Sequence, residues 1–190
     1  MSGDFMGEIQ KIPTIYLDRL ILRPFELSDA SEVQRQAGSP KVAATTATVP
    51  HPYPDGAAED WISKHSAWFD KGVAVDWAIE LKEGKKLIGC ISLGINKPNS
   101  RAEMGYWIGE EFWNYGYCSE AAIGAIRYAF ESLHLNKITS RHMSENPSSG
   151  KVMIKAGMEK EGCLKQDFCK NGKFVDMIVY GLLRETFLSL

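Results

Sequence analysis

A strand, a turn and a helix follow one another in the middle of the chain, and this succession constrains the fold more than any other feature. Residues 101–108 are strand-like, and apolar residues at helical spacing predict a helix over 120–133 that opens at Ser119. The turn between them, Trp113–Cys118, passes through Gly116. Because the first turn of a helix carries unpaired N–H groups and a partial positive charge, it binds phosphate well. We therefore expect this turn to hold the pyrophosphate of a nucleotide-like ligand.

The composition favours one globular domain and argues against several other classes of protein. With 190 residues, 44% of them hydrophobic, the chain has enough apolar material for a substantial core, and we expect residues 1–190 to form a single domain. The net charge of −2 and the scattered Lys and Arg residues argue against a nucleic-acid partner. No apolar run approaches the roughly 20 residues that span a bilayer, so no membrane partner is expected.

The chain termini and the cysteines indicate a cytoplasmic protein without metal. Residues 1–14 contain no apolar signal core, and we expect a flexible N-terminal extension there. The four cysteines lack CxxC spacing, which argues against a zinc site or a disulfide framework. They are expected to be free thiols: Cys90, Cys118, Cys163 and Cys169.

Hydrophobic periodicity and turn residues predict the remaining elements. Predicted strands cover residues 17–25, 73–81, 87–95, 101–108, 137–143, 158–168 and 174–183. Predicted helices cover 29–37 after an N-cap at Ser28, 57–71 after Asp55, 120–133 and 148–156, with an irregular segment over 41–56. Three successive strands in 73–108 form a meander, and Asn171-Gly172 predicts a hairpin. The fold class is therefore α/β, with a mixed, mostly antiparallel sheet of about seven strands flanked by about four helices.

Four segments in register resemble the GNAT acyltransferases, specifically the RimJ/RimL-like branch that acetylates protein N-termini. The opening strand is similar over residues 17–25, and 103–108 followed by 113–121 resembles the fourth strand and the acetyl-CoA pyrophosphate loop. Asn146-Pro-Ser-Ser149 followed by residues 155–166 resembles the Asn-x-x-Ser helix and the segment after it. The resemblance covers roughly residues 15–185 and implies the GNAT fold.

Three positions depart from the family pattern. Asn114 stands where glycine is usual, and asparagine tolerates a positive φ better than most residues. Cys118 replaces Gly or Ala with a small side chain, and Met158 replaces Phe at similar volume. We expect the loop to keep its function despite these changes.

The resemblance implies that an amine attacks the thioester of acetyl-CoA directly, with no metal. The fourth and fifth strands would splay apart, and the pantetheine arm would pair with the exposed edge of the fourth strand, where a backbone N–H would face the thioester oxygen. Asn146 would bind the pantetheine, and Ser149 would protonate the departing thiolate. Simple helix capping is the alternative for both residues. The implied cofactor-binding residues are Tyr106, Trp107, Ile108, Trp113, Asn114, Tyr115, Gly116, Tyr117, Cys118, Ser119, Asn146 and Ser149.

A general base is harder to identify than the acid. Glu103, at the start of the fourth strand, resembles the glutamate that accepts the amine proton through water in several members of the family, and a solvated carboxylate is the alternative. Asp167 is a rival, and His142 and His51 are further candidates. An N-terminal α-amine has a pKa near 8, so part of it is already neutral and a strong base is not required.

The acceptor follows from the branch of the family. A protein N-terminal α-amino group is expected, and a small amine such as a polyamine, an aminoglycoside or an amino-acid analogue is the alternative. Acidic residues near the predicted second helix would suit a cationic acceptor: Asp55, Glu59 and Asp60. Five aromatic residues either line the acceptor cleft or pack in the core: Tyr53, Trp61, Trp77, Tyr106 and Trp107. A non-catalytic acyl-CoA-binding module is an alternative of another class, and a homodimer is left open.

Overall fold

Eight strands form one sheet in the computed structural model, which describes residues 11–189. The strands are Ile15–Tyr16 (β1), Leu20–Arg23 (β2), Ala74–Leu81 (β3), Leu87–Asn96 (β4), Arg101–Ile108 (β5), Lys137–Met143 (β6), Glu159–Lys170 (β7) and Lys173–Leu183 (β8). Their order is β1-β2-β3-β4-β5-β6-β8-β7. Only β5 and β6 pair in parallel, so the predicted mixed and mostly antiparallel sheet is confirmed.

Seven α-helices lie within the described residues. They are Ala30–Ala37 (α1), Pro40–Thr45 (α2), Ala57–Ser63 (α3), His65–Asp70 (α4), Tyr117–Glu131 (α5), Pro147–Lys155 (α6) and Arg184–Leu188 (α7). The predicted hairpin between β7 and β8 is confirmed, because Asn171 and Gly172 both have the positive φ that a two-residue type I′ turn requires.

The N-terminal half contains more helices than predicted. Helix α2 lies where an irregular segment was expected, because Pro40 suits a first helical turn with its fixed φ and its missing N–H. The helix predicted over 57–71 is divided into α3 and α4, since the N–H of Lys64 bonds to Trp61 O and closes a tighter turn there. Gly56 rather than Asp55 is the N-cap residue of α3.

Two further helix starts differ from the prediction. Ser28 does not cap α1; it lies within a short 3₁₀ turn, and Asp29 accepts a hydrogen bond from the N–H of Glu26 at 2.8 Å. Helix α5 begins at Tyr117 rather than near Ser119, because Gly116 adopts φ 80° and serves as its N-cap.

The sheet packs against helices on both faces. On one face Val75, Trp77 and Ile79 of β3 belong to the main core together with Phe130 of α5. On the other face Ala78 packs with α1 and α3 in a second cluster. Because β3 is covered on both sides, its five central residues, 75–79, are all buried, whichever way their side chains point.

The start of the described chain is tied to this core. The predicted N-terminal extension, residues 1–14, falls mostly outside the described residues. Of its last part, Ile12 packs against the main core, and Trp77 Nε1 donates a hydrogen bond to Pro13 O at 2.8 Å. Residues 12 and 13 therefore contact the folded domain.

Strands β5 and β6 separate after a short parallel ladder. The ladder runs from the pair Arg101–Lys137 to the pair Glu103–Thr139 and ends there. One residue later the Ser140 hydroxyl donates to Met104 O at 2.8 Å. The two strands then diverge, which confirms the expected splay and opens a gap in the middle of the sheet.

Candidate active site

A cleft of about 880 Å³ passes through the gap between β5 and β6. Its walls come from the turn before α5, from α6 and from the segment between α2 and α3. Twelve of the thirteen residues predicted for catalysis and cofactor binding line it: Glu103, Tyr106, Trp107, Ile108, Trp113, Asn114, Gly116, Tyr117, Cys118, Ser119, Asn146 and Ser149. Tyr115 does not; its side chain is 62% exposed and stacks on Tyr117.

The first turn of α5 presents N–H groups to this cleft. The N–H of Glu120 is the first to bond within the helix, to Gly116 O at 3.1 Å. Tyr117, Cys118 and Ser119 precede it and carry the N–H groups that an α-helix leaves without an internal partner. Asn114 has φ 68°, as its tolerance for positive φ predicts. The strand–turn–helix arrangement of an anion site is therefore present.

Trp113 contributes to this turn in a different way from the prediction. Its backbone N–H bonds to Glu110 O at 3.2 Å and so already has a partner within the turn. Its indole Nε1 donates to Ile108 O at 2.7 Å. Trp113 therefore ties the turn to the end of β5, and the anion-binding N–H groups begin after it.

Arg19 holds the turn from outside, a role for which the sequence carries no signal. Its Nε donates to Glu120 at 2.7 Å, and its Nη1 donates to Tyr115 O at 2.9 Å. The guanidinium also lies 4.7 Å from the ring centroid of Tyr117, within the range of a cation–π contact. This half-exposed side chain joins the segment before β2 to both sides of Gly116.

Cys118 remains a neutral side chain beside the helix start. Burial raises the pKa of its thiol to about 12. At neutral pH it therefore adds no negative charge next to the N–H groups, and the departure from Gly or Ala is electrostatically harmless.

The edge of β5 that faces the gap carries two backbone N–H groups. Antiparallel strands alternate between residues that exchange hydrogen bonds and residues that do not. Because the N–H of Gly109 bonds to Ile88 O on β4, Trp107 belongs to the set that bonds to β4. Tyr106 and Ile108 belong to the other set, and their N–H groups point into the gap.

Tyr106 and Ser149 form a pair of hydroxyl groups across the cleft. Their oxygens lie 2.8 Å apart, and the phenol also donates to Ser149 O at 3.0 Å. Burial raises the pKa of the Tyr106 phenol well above its ordinary value, so it stays protonated. The Tyr106 phenol can therefore stabilise charge on the Ser149 hydroxyl oxygen as a hydrogen-bond donor.

Asn146 acts as a helix cap in this structure. Its Oδ1 accepts a bond from the Ser149 N–H at 3.3 Å, and its Nδ2 donates to Thr45 O at 3.0 Å. The side chain thus fixes the start of α6 against the end of α2. Its predicted contact with pantetheine stays a prediction.

Both carboxylates considered as bases bond to one guanidinium. Arg141 on β6 donates to Glu103 at 2.9 Å and to Asp167 at 3.3 Å. The Glu103 side chain is about half exposed. These contacts describe an ion-paired group at the mouth of the cleft rather than a carboxylate free to take a proton.

The histidines and aromatic residues divide between the cleft and other places. His142 lines the cleft and its Nδ1 lies 2.8 Å from Met143 O, whereas His51 Nδ1 contacts Gly38 O. Trp77 is fully buried in the main core, so the second of its two expected roles, core packing, is confirmed. The other four aromatic candidates line the cleft: Tyr53, Trp61, Tyr106 and Trp107.

Asp76 is a cleft residue that the sequence analysis missed. It lies in the middle of β3, is 6% exposed and lines the cleft. Its Oδ2 is buried, with no hydrogen-bond partner among residues 11–189. Burial raises the pKa of this carboxyl to about 6. The available signal was a carboxylate inside an otherwise apolar strand, which alternation alone assigns to a solvated face.

Neither a membrane-spanning helix nor a cluster of metal ligands occurs within the described residues. No helix in 11–189 has the length and apolar content to cross a bilayer. Within that range no three His, Cys, Asp or Glu side chains come together as a metal site would require.

Comparison with known proteins agrees with this geometry. Residues 19–159 match the family described as acetyltransferase (GNAT) domain. The chain is 32% identical to the uncharacterized N-acetyltransferase p20 of Bacillus licheniformis over 176 residues, which cover 92% of this chain and 98% of that protein. It is 34% identical to the ribosomal-protein-serine acetyltransferase of Escherichia coli, over 50% of this chain and 54% of that protein.

A solved structure shares the fold at lower identity. The spermidine N-acetyltransferase of Vibrio cholerae, solved in complex with CoA and spermine, superposes with a TM-score of 0.77 at 23% identity. The alignment covers 90% of this chain and 98% of that chain.

Proposed function

We propose, on the premise that this chain belongs to the GNAT acetyltransferase family and is an N-acetyltransferase, that it transfers the acetyl group of acetyl-CoA to a protein N-terminal α-amino group. The observation that carries the proposal is the cleft, which runs from the first turn of α5 through the gap between β5 and β6. It joins an anion site to an open strand edge and to the part of the cleft on the α1 and α3 face of the sheet. Val33, Tyr53 and Trp61 line this part, which we call the acceptor chamber.

The residues along this path could bind successive parts of acetyl-CoA. The N–H groups of Tyr117, Cys118 and Ser119 would bind the pyrophosphate. The edge of β5 that faces the gap would form backbone hydrogen bonds with the pantetheine amides, as a free sheet edge does with an added strand. The N–H of Tyr106 or Ile108 would then stabilise the negative charge that develops on the thioester oxygen.

Ser149 is proposed to protonate the leaving group. In the transfer the amine nitrogen bonds to the acetyl carbon, the C–S bond breaks and its electron pair stays on sulfur. Ser149 gives its hydroxyl proton to that sulfur, and the Tyr106 hydroxyl, whose oxygen lies 2.8 Å away, stabilises the charge left on the serine oxygen until the proton that the amine nitrogen loses replaces the one given. A module that only bound acyl-CoA would not require this hydroxyl pair, which favours an enzyme.

The charges of the cleft favour an acceptor with one positive charge. Two carboxylates line it, Asp76 and Glu103, and Glu103 is bonded to Arg141. One carboxylate is left to face a cationic acceptor, which matches an N-terminal ammonium group better than a polyamine. Asp55, Glu59 and Asp60, which would have favoured a polycation, do not line the cleft, and Asp60 pairs with Lys64.

The second candidate is acetylation of a small amine. The spermidine N-acetyltransferase with the same fold supports it, although at 23% identity. The ribosomal-protein-serine acetyltransferase, 34% identical over half of this chain, supports a protein acceptor. The charge balance of the cleft decides our choice between the two.

A panel of acceptors tests the proposal. CoA release from acetyl-CoA would be measured with short peptides that carry a free N-terminus, with the same peptides blocked by N-acetylation, and with spermidine and an aminoglycoside. We expect turnover of the free peptides and none of the blocked ones. Turnover of spermidine alone would favour the small-amine reading, and tight acetyl-CoA binding without turnover of any amine would indicate a binding module.

A further inference from the structure

Asp76 has no structural partner that would explain its place in the sheet. Its Oδ2 is buried, and no donor among residues 11–189 lies within hydrogen-bond distance of it. Burial of a carboxylate without compensation is unfavourable, because the charged form loses its hydration. The folded state is therefore destabilised at this position. Buried ionisable groups with perturbed pKa values occur preferentially at functional sites.

The register of three strands places Asp76 on the floor of the acceptor chamber. Val75 and Trp77 point into the main core, so Asp76 points to the opposite face of β3. Asp76 pairs with Ser92 of β4, and Ser92 pairs with Gly105 of β5. At the usual spacing of strands, the backbone of Asp76 therefore lies about 10 Å from that of Gly105.

Only small residues lie between Asp76 and the edge of β5 in the strand register. Gly105 has no side chain, and the Ser92 hydroxyl lies against it and donates to Gly105 O at 3.4 Å. Both residues line the cleft together with Asp76. An amine bonded to the carboxylate could thus reach across Ser92 toward Tyr106, next to which the thioester is proposed to lie.

The surroundings leave the Asp76 carboxylate without a cation. No ion pair forms with it among the described residues, and burial alone accounts for its raised pKa of about 6. Cys90 of β4, whose thiol pKa is raised well above its ordinary value, is neutral beside it. The other titratable or charged residues that line the cleft are Tyr53, Glu103, Tyr106, Tyr117, Cys118, Arg141, His142, Lys151 and Lys155.

We propose that Asp76 is a catalytic residue that binds the ammonium group of the acceptor and removes one proton from it. This inference rests on the proposed function. One N–H bond of the ammonium group breaks and an O–H bond forms on Asp76; the freed electron pair of nitrogen bonds to the acetyl carbon, and the C–S electron pair leaves with sulfur. Nitrogen then loses a second proton, which passes through water to Ser149 and replaces the proton that Ser149 gives to sulfur. The proton on Asp76 passes to water when the amide product departs.

The burial of Asp76 suits this role. A carboxyl group with a pKa near 6 is a stronger base than an exposed one, yet it is still ionised at neutral pH. A single carboxylate also selects for a single ammonium group. Asp76 would therefore both activate the amine and contribute to the preference for an N-terminus.

The substitution Asp76→Asn, which keeps the size of the side chain, tests the inference against a matched control. Asp70→Asn changes an exposed residue of α4 outside the cleft. On the amine that the wild-type protein acetylates best, we expect Asp76→Asn to lower kcat/KM at pH 7 by about 100-fold or more, and Asp70→Asn to leave it unchanged. Acetyl-CoA affinity, measured by calorimetry, should stay the same in both variants.

The pH profile separates a base from a residue with a merely structural role. Wild-type kcat/KM should rise with pH around pH 6, as Asp76 ionises, and should change a second time around the pKa of the amine. In Asp76→Asn the rise around pH 6 should vanish, so that kcat/KM follows only the fraction of free amine.

Four outcomes would overturn the inference. Unchanged kcat/KM in Asp76→Asn would remove Asp76 while leaving the proposed function intact. A parallel loss of acetyl-CoA affinity would mean that the residue supports the fold. If the wild-type protein acetylates no amine in the panel, the proposed function fails and this inference fails with it. If Glu103→Gln loses the rise of kcat/KM around pH 6 while Asp76→Asn keeps it, the base is Glu103 and not Asp76.

Discussion

A carboxylate that the fold buries without a partner lowers the stability of the folded state. The pKa of Asp76 is raised from 3.8 to about 6, so the folded protein binds this proton more tightly than the unfolded chain does. Stability therefore falls as pH rises through the interval from 4 to 6, and the penalty is complete above it. A residue kept at such a cost is most simply explained by what it does to a substrate.

Asp76→Asn should accordingly stabilise the protein while it abolishes efficient turnover. At pH 7.5 we expect the free energy of unfolding to increase by on the order of 2 to 3 kcal/mol. Near pH 4, where Asp76 is protonated, the difference should largely disappear. Urea unfolding at the two pH values measures both quantities, with Asp70→Asn as the control; equal stability of the wild-type protein and Asp76→Asn at pH 7.5 would contradict the account.

Ser149 can be tested without disturbing its surroundings. In Ser149→Ala the backbone carbonyl that accepts from Tyr106 remains, so the phenol keeps one hydrogen bond. We expect kcat to fall by about 10- to 100-fold, less than for the loss of a sole general acid because the Tyr106 hydroxyl is still present.

Acetyl-CoA affinity should change little in Ser149→Ala. Steady-state kinetics and calorimetry measure the two effects separately. Ser66→Ala, at an exposed position of α4, is the matched control. An unchanged kcat would exclude Ser149 as the acid.

At the scale of elements, local patterns predicted which segments fold but not how their polar groups are used. Gly116 and Asn114 predicted the turn before α5, because few other residues adopt a positive φ there. The same pattern could not show that the N–H of Trp113 is already bonded to Glu110, or that Arg19 holds the turn from the segment before β2. Alternation alone would assign Asp76 to a solvated face, since it does not show that α1 and α3 cover that face.

The gap edge of β5 leads to a prediction for single backbone amides. If acetyl-CoA binds along this edge, the N–H groups of Tyr106 and Ile108 should exchange with solvent more slowly once it is bound. Trp107, which bonds to β4, should change little and serves as the internal control. Hydrogen exchange followed by NMR resolves the three amides; equal protection of all three would indicate general stabilisation rather than binding at the edge.

At the scale of the whole molecule, the sheet consists of two parts that meet only over a short ladder. Strands β1 to β5 and strands β6 to β8 are joined in the sheet by the pairs from Arg101 to Glu103, and the cleft occupies the space beyond. Contacts between distant segments close its walls, such as Lys170 Nζ donating to Thr46 O at 2.7 Å. The sequence predicted the strands and, through family resemblance, the splay. It could not predict the chamber, because the chamber depends on pairs more than a hundred residues apart.

Charge is distributed unevenly over the molecule, in a way that suits an anionic cosubstrate. The chain has a net charge of −2, yet three cations line the cleft: Arg141, Lys151 and Lys155. Lys151 and Lys155 lie one turn apart on α6, beside the gap, and both are exposed. We infer that they attract the phosphates of acetyl-CoA, and exposed charges of this kind contribute up to about 1 kcal/mol each.

The double variant Lys151→Gln/Lys155→Gln should therefore bind CoA about 5- to 10-fold more weakly at low ionic strength. Because salt screens exposed charges, the difference should shrink when the ionic strength is raised toward 1 M. Lys160→Gln, on β7 and outside the cleft, removes a lysine without changing the site and should leave affinity unaltered. Calorimetric titration at two salt concentrations compares the variants. A loss of affinity that persists at high salt would show that the lysines act through packing or helix stability, and an equal loss in Lys160→Gln would mean that overall charge, not the cleft, governs binding.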